Sequence, residues 1–226
     1  MNDTNITYPR ILPSGDAAFT VEFGNGIDLK LNRKVYALEY AIQRASFTGV
    51  IEMIPSYRSL LVRFNPYQCP QSQMEEQIES LLSSLSVMDE NPYQVIEIPV
   101  HYGGEDGPDL DFVAEHNGLT AQQVVEIHTS CTYPIYMMGF TPGFPYLGGM
   151  DPRIAAPRLE NPRTLVPAGS VGIAGEQTGI YSINSPGGWR LIGKTEVKLF
   201  DPKNESPFLL SPGDHIRFVP VKGGEA

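Results

Sequence analysis

The chain contains no apolar run approaching the ~20 residues that a membrane-spanning helix needs. Its opening residues, Met1 to Arg10, lack the charged-then-apolar pattern of a signal peptide. Both absences point to a cytoplasmic protein. Only two cysteines occur, Cys69 and Cys131, and they form no C-x-x-C, so a disulfide scaffold, a redox pair and a metal framework are unsupported. No histidine precedes His101, and none of the four present (His101, His116, His128, His215) is paired at metal-ligand spacing; no metal is expected. Nucleophile signatures are missing as well, with no G-x-S-x-G, S-x-x-K or H-E-x-x-H, so no residue is assigned a catalytic role. Positive charge is scarce. With 16 Lys and Arg against 26 Asp and Glu the formal net charge is −10, which argues against nucleic acid or an anionic membrane as partner.

The charge is unevenly spread. From His101 to Met150 there are six acids and no Lys or Arg, whereas Asp151 to Phe200 holds six bases against four acids. A basic island in an acidic chain suits a small carboxylate or phosphate, and scattered surface charge gives the same count. At 226 residues and 41% hydrophobic, the chain is long enough for two modest domains with real cores.

Ala17 to Phe23 alternates as a strand and stops at Gly24-Asn25-Gly26. Asp28 is placed as the N-cap of a helix whose apolar stripe is Leu31, Val35, Leu38, Ile42 and Ala45, ending near Ser46. Strands Val50 to Ile54 and Ser59 to Phe64 come next, then a helix over Gln71 to Met88 that buries Met74, Ile78, Leu81, Leu82 and Leu85. This β-α-β-β-α order is most of a ferredoxin-like unit, with a further strand drawn from Tyr8 to Leu12 or from Val95 to Val100. The polar breaker Asp89-Glu90-Asn91-Pro92 divides residues 1–90 from residues 91–226. Beyond it, Val95 to Val100 reads as a strand and Asp109 to Asn117 as a short helix closed by Gly118. Thr120 to Gln123 fits a capping box opening a helix through His128. Everything past Tyr133 is strand and turn, with Ile173, Ile180, Ile183, Leu191, Val197, Leu199, Leu209 and Ile216 on its strands, which suggests a closed or nearly closed barrel.

The densest stretch is Gly139 to Gly149, where glycines force tight turns beside large rings. Phe140, Gly143, Phe144, Tyr146, Tyr181 and Trp189 are expected to wall a concave site. Arg163 or Arg190 is the candidate clamp for a carboxylate, and Gln177, Thr178 and Tyr181 are the candidate polar groups. His128, near a helix C-terminus where the dipole favours the protonated ring, is a candidate acid or anion ligand, with helix capping as the bland alternative. Gly188-Trp189-Arg190-Leu191-Ile192-Gly193-Lys194-Thr195 satisfies the P-loop pattern, yet its interior is bulky and Glu196 to Pro202 alternates like a strand. A phosphate cradle needs small residues running into a helix N-terminus, so the match is read as accidental.

Several stretches resemble the family called allophanate hydrolase subunit 1, which includes the bacterial 5-oxoprolinase subunit PxpB and the sensor-kinase inhibitor KipI. They are GFTPGFPYLGG (Gly139 to Gly149), Val166 to Gly175, Gln177 to Tyr181, Ser185 to Thr195, YGGEDGPDL (Tyr102 to Leu110), Gly15 to Ala17 and Ser59 to Val62. The likeness covers nearly the whole chain. It implies an α+β protein, a small α/β N-terminal domain followed by a cyclophilin-like β-barrel domain. It implies an enzyme subunit inactive alone, working with a PxpC-type (allophanate hydrolase subunit 2) protein and a PxpA-type subunit. The complex would use ATP with magnesium to open 5-oxo-L-proline to L-glutamate. The alternatives it carries are a KipI-type inhibitor docking on a histidine kinase and subunit 1 of an allophanate hydrolase or urea carboxylase system. Relatives often carry Arg where this chain has Lys194.

Overall fold

Among the described residues of the first unit, Met1–Asn91, period-two alternation builds four strands: β1 (Arg10–Pro13), β2 (Ala18–Glu22), β3 (Val50–Pro55) and β4 (Ser59–Phe64). They form one antiparallel sheet in the order β1-β2-β4-β3. The computed structural model describes residues 6–85 and 94–221. Helix α1 (Leu29–Ala45) starts where the Asp28 carboxylate accepts from the Lys30 N–H at 2.6 Å, satisfying a donor that a helix start leaves bare. Its stripe Val35, Leu38 and Ile42 packs with Met74 and Ile78 of α2 (Gln71–Ser83) onto Phe19, Val21, Leu60, Val62 and Phe64. Arg10–Pro13 supplies the fourth strand, while Val95 onward belongs to the other unit. α2 is shorter than its pattern, ending at Ser83 with Ser84 as cap. Val87 and Met88 of the expected helix, and the breaker Asp89–Pro92, lie outside the described residues.

The second unit, Pro92–Ala226, contains β5 (Val95–Tyr102), α3 (Leu110–His116), α4 (Ala121–Ser130), β6 (Tyr133–Met138), β7 (Pro145–Leu147), β8 (Arg163–Val166), β9 (Ser170–Ala174), β10 (Gln177–Ile180), β11 (Ser185–Gly187), β12 (Arg190–Lys194) and β13 (His215–Pro220). Seven of the strands make one sheet, β10-β9-β12-β5-β13-β6-β7, in which β13 runs parallel to β5. The sheet curls until its edge strands β10 and β7 lie side by side, so it is a nearly closed barrel. β8 and β11 form a separate ribbon. Inside the barrel Ile98, Val100, Val171, Ile173, Ile180, Ile192, Ile216 and Phe218 are buried together, capped by Val113 of α3 and Val124 and Ile127 of α4.

Ile183, Val197, Leu199 and Leu209 lie outside the named strands, unlike their expected placement. Pro202, Pro207 and Pro212 remove ladder donors, leaving the Phe200–Phe208 bridge and a Leu209-to-Leu199 hydrogen bond to organise that crossing. A 3₁₀ turn at Pro152–Ile154 is a further departure from strand and turn alone. Among the described residues no helix is long and apolar enough to cross a membrane.

Candidate functional site

The P-loop-like octapeptide is a strand. Arg190–Lys194 pairs antiparallel with β9 and β5, and Leu191, Ile192 and Gly193 are buried by that pairing. Lys194 meets Glu196 at 3.7 Å rather than facing a phosphate cradle.

At the seam between β7 and β10, no backbone ladder among the described residues joins the two edges, and rings fill the space instead. Phe144 is the hub. Its ring lies edge-to-face with Phe140 (5.6 Å), Tyr146 (5.1 Å), Tyr181 (5.5 Å) and Trp189 (5.6 Å). Gly179 makes room for this, because a Cβ there would meet Phe144, the Pro145 carbonyl and the Trp189 ring. The loop arriving at Phe144 carries Gly143 at φ 80° and Phe140 at φ 65°. For a bulky side chain that conformation is an outlier, and Phe140 is also 63% exposed. Phe144, Tyr146, Tyr181 and Trp189 therefore come together as a packed cluster, with Phe140 at its exposed edge and Gly143 turned toward Leu199, Phe200 and Ser182; the Phe144 ring lies where an open hollow was expected.

Arg163 and Arg190 share one carboxylate. Asp109 lies 3.0 Å from the Arg163 guanidinium and 3.8 Å from that of Arg190, and it accepts the Leu191 N–H at 2.7 Å. Arg190 also donates to the Pro157 carbonyl and stacks 3.5 Å over the Phe112 ring, so its charge is spent on scaffold rather than on a substrate carboxylate. Arg163 makes the closer pair with Asp109 and donates to the Trp189 carbonyl at 3.4 Å, yet its side chain is 29% exposed against 15% for Arg190, and it stands across the ribbon from Gly187. A Cβ at Gly187 would strike the Tyr181 hydroxyl, which places that phenol beside Arg163. Burial raises the Tyr181 phenol above its ordinary value, against the pull of the Trp189 N–H and of the Arg158 and Arg163 charges. The phenol thus lies at the edge of an aromatic floor, within the field of the Arg158 and Arg163 charges. That is the chemistry of a site for a small anion with an apolar body.

His128 is elsewhere, and the expectation of a protonated, ligand-facing ring does not hold. It is fully buried, and burial pushes its pKa down to about 3, so desolvation outweighs the helix dipole. Thr178 Oγ1 donates to the Gly172 carbonyl (3.1 Å) and so accepts from His128 Nε2 (2.9 Å), which leaves Nδ1 to accept from the Tyr102 hydroxyl (2.8 Å). Thr178 is consumed by this internal relay and does not face ligand. Gln177, half-buried at the head of β10, lies opposite Ala174, a member of the aromatic cluster.

Sequence reasoning missed Asp109, Arg158 and Ser185. Asp109 reads as a helix start, and nothing local announces partners 54 and more residues away. Arg158 was one base among six, brought in when the Leu159 N–H bonds the Gly188 carbonyl at 2.8 Å. A groove of about 380 Å³ in the first unit, lined by Pro9, Ile11, Glu75, Glu79, Leu82 and Ser83, presents carboxylates and suits an anion poorly. Among the described residues no three His, Cys, Asp or Glu side chains gather as a metal site.

The family model for the carboxyltransferase domain, subdomains C and D, matches residues 9–210. The chain is 45% identical over 217 residues to the B subunit of 5-oxoprolinase from Bacillus subtilis (strain 168), covering 92% of this chain and 90% of that one. It is 43% identical over 212 residues to the B subunit of 5-oxoprolinase from Escherichia coli O157:H7, covering 93% and 95%. The crystal structure of TTHA0988 matches with a TM-score of 0.79 at 39% identity over 92% of this chain; this chain spans 40% of that longer one. On the extent of the family match and on these identities, the chain belongs to the family of the carboxyltransferase domain, subdomains C and D, alongside the bacterial 5-oxoprolinase B subunits.

Proposed function

We propose that this chain is the B subunit of an ATP-dependent 5-oxoprolinase, a cytoplasmic hydrolase complex that converts 5-oxo-L-proline to L-glutamate with PxpA-type and PxpC-type companions. The observation that carries the reading is identity above 40% to two bacterial B subunits over nine-tenths of the chain. The ferredoxin-like description of the first unit and the cyclophilin-like description of the second go with it, supported by the β1-β2-β4-β3 order and the nearly closed sheet.

The substrate's chemistry agrees with the site. 5-Oxo-L-proline is a small ring bearing a carboxylate and a lactam, and the lactam is a poor electrophile whose opening needs ATP to turn its oxygen into a leaving group. Arg163, partly exposed beside its Asp109 partner, offers the carboxylate a cation, and the rings offer the methylene face an apolar floor. The nucleotide does not fit this chain's P-loop-like segment, which is a buried strand, so ATP and magnesium are assigned to a companion subunit.

Co-expression with the two companions and an assay of ATP-dependent glutamate release tests the reading. A well-folded complex that releases none overturns it.

A further inference from the structure

Ser185 is 7% exposed, and its hydroxyl is buried without a hydrogen-bond partner among the described residues. Such a group is costly to leave unpaired. Its register partner on β8 is Val166, and residues directly opposite in a ladder share a face. The hydroxyl therefore points where Val166 points, into the cluster of Phe144, Tyr181 and Trp189.

Phe144 reaches that cluster on a loop tied mainly to itself. The Gly139 N–H bonds the Phe144 carbonyl (3.1 Å), the Thr141 N–H bonds the Gly139 carbonyl (2.8 Å), and the Phe144 N–H bonds the Thr141 carbonyl (3.1 Å). Its side-chain tie to the barrel is Ser182, whose Oγ donates to the Pro142 carbonyl at 2.6 Å and lies 3.2 Å from Thr141 Oγ1. Among the described residues no strand pairing crosses the seam that the ring fills, so the ring can withdraw without breaking a ladder. The outlying backbone of Phe140 sits in the same loop.

We propose that Phe144 is a plug seated in a binding site for a small cyclic amide bearing a carboxylate. The ligand replaces the ring, setting its carboxylate on Arg163, across the ribbon from Gly187, and its amide on Ser185 Oγ. A five-membered lactam ring is close in size to a phenyl ring, so the space that Phe144 leaves takes the ring, with the carboxylate reaching out of it toward Arg163. With 5-oxo-L-proline as that ligand, the inference rests on the proposed function and locates its substrate site.

The sole tryptophan, Trp189, touches the plug edge-on at 5.6 Å and reports its withdrawal. The full chain is titrated with 5-oxo-L-proline, with 2-pyrrolidinone, which lacks the carboxylate, and with cyclopentanecarboxylate, which lacks the amide. A saturable change in Trp189 emission is expected for 5-oxo-L-proline, with each truncated probe and the Ser185→Ala variant binding ~10-fold more weakly. Phe144→Ala removes the plug and Ser182→Ala its tie, and each is expected to bind ~10-fold more tightly because less of the protein is held in the closed state. If Phe144→Ala fails to fold, Ser182→Ala carries the test. A folded variant of either kind that shows no saturable response to any probe overturns the plug. Glutamate release by the complex while Trp189 stays silent in both chain and complex also overturns it, leaving the proposed function standing. Saturable binding with no glutamate release keeps the site and removes the oxoprolinase reading.

Discussion

Asp109 holds two guanidinium groups and a strand N–H, so removing it strands charge next to the barrel. Asp109→Ala should lower the unfolding free energy by about 2–4 kcal/mol, short of a fully buried pair because Arg163 is partly solvated. A urea midpoint shifted at constant slope is the measurement. His128 makes a pH prediction of definite sign. Its folded pKa of about 3 lies below the ordinary value of 6.5, so the unfolded chain takes up the proton first as pH falls. Stability from this residue is fully present above pH 6.5 and is lost down to about pH 3, at up to about 1.4 kcal/mol per pH unit. Acid melts of His128→Gln should be correspondingly flatter over that window. The position of His128 on a helix was legible from the capping box. Its burial was not, because the rings around it, Tyr133 at 5.5 Å and Phe218 at 4.4 Å, come from strands that only the folded barrel assembles.

Among elements, the Gly139–Phe144 loop was recognisable from its glycines, and its content was not. The glycines announced turns, yet nothing local says that Phe144 points into the seam while Phe140 takes the left-handed conformation. Phe140→Gly exchanges about 1–2 kcal/mol of backbone strain for greater chain entropy in the unfolded state and lost ring contact, so its melting point should move little. Phe144→Ala, by contrast, empties a buried position and should cost about 3–5 kcal/mol. Comparing the two by thermal denaturation separates strain from packing. The octapeptide from Gly188 to Thr195 makes a second test at this scale. Because it is a strand, Lys194→Ala should leave ATP-dependent turnover of the assembled complex within ~3-fold, whereas a phosphate-contacting lysine would cost several kcal/mol of transition-state stabilisation. Steady-state rates of wild type and variant decide between them.

In the molecule as a whole, each unit carries its own buried cluster: Phe19, Leu38 and Ile78 in one, Ile98, Ile192 and Phe218 in the other. Residues 92–226 expressed alone should therefore melt cooperatively, and aggregation of that fragment would show that its core is incomplete. The sequence by itself determined the helices, most of the strands and the family, because periodicity, caps and long motifs are local properties written in consecutive residues. Only the tertiary structure decided that Arg163 and Arg190 converge on Asp109, that Phe144 closes the seam, and that Ser185 is buried unpaired beside it. Those facts depend on how a seven-stranded sheet curls, and curling brings together residues whose separation along the chain carries no trace of their contact.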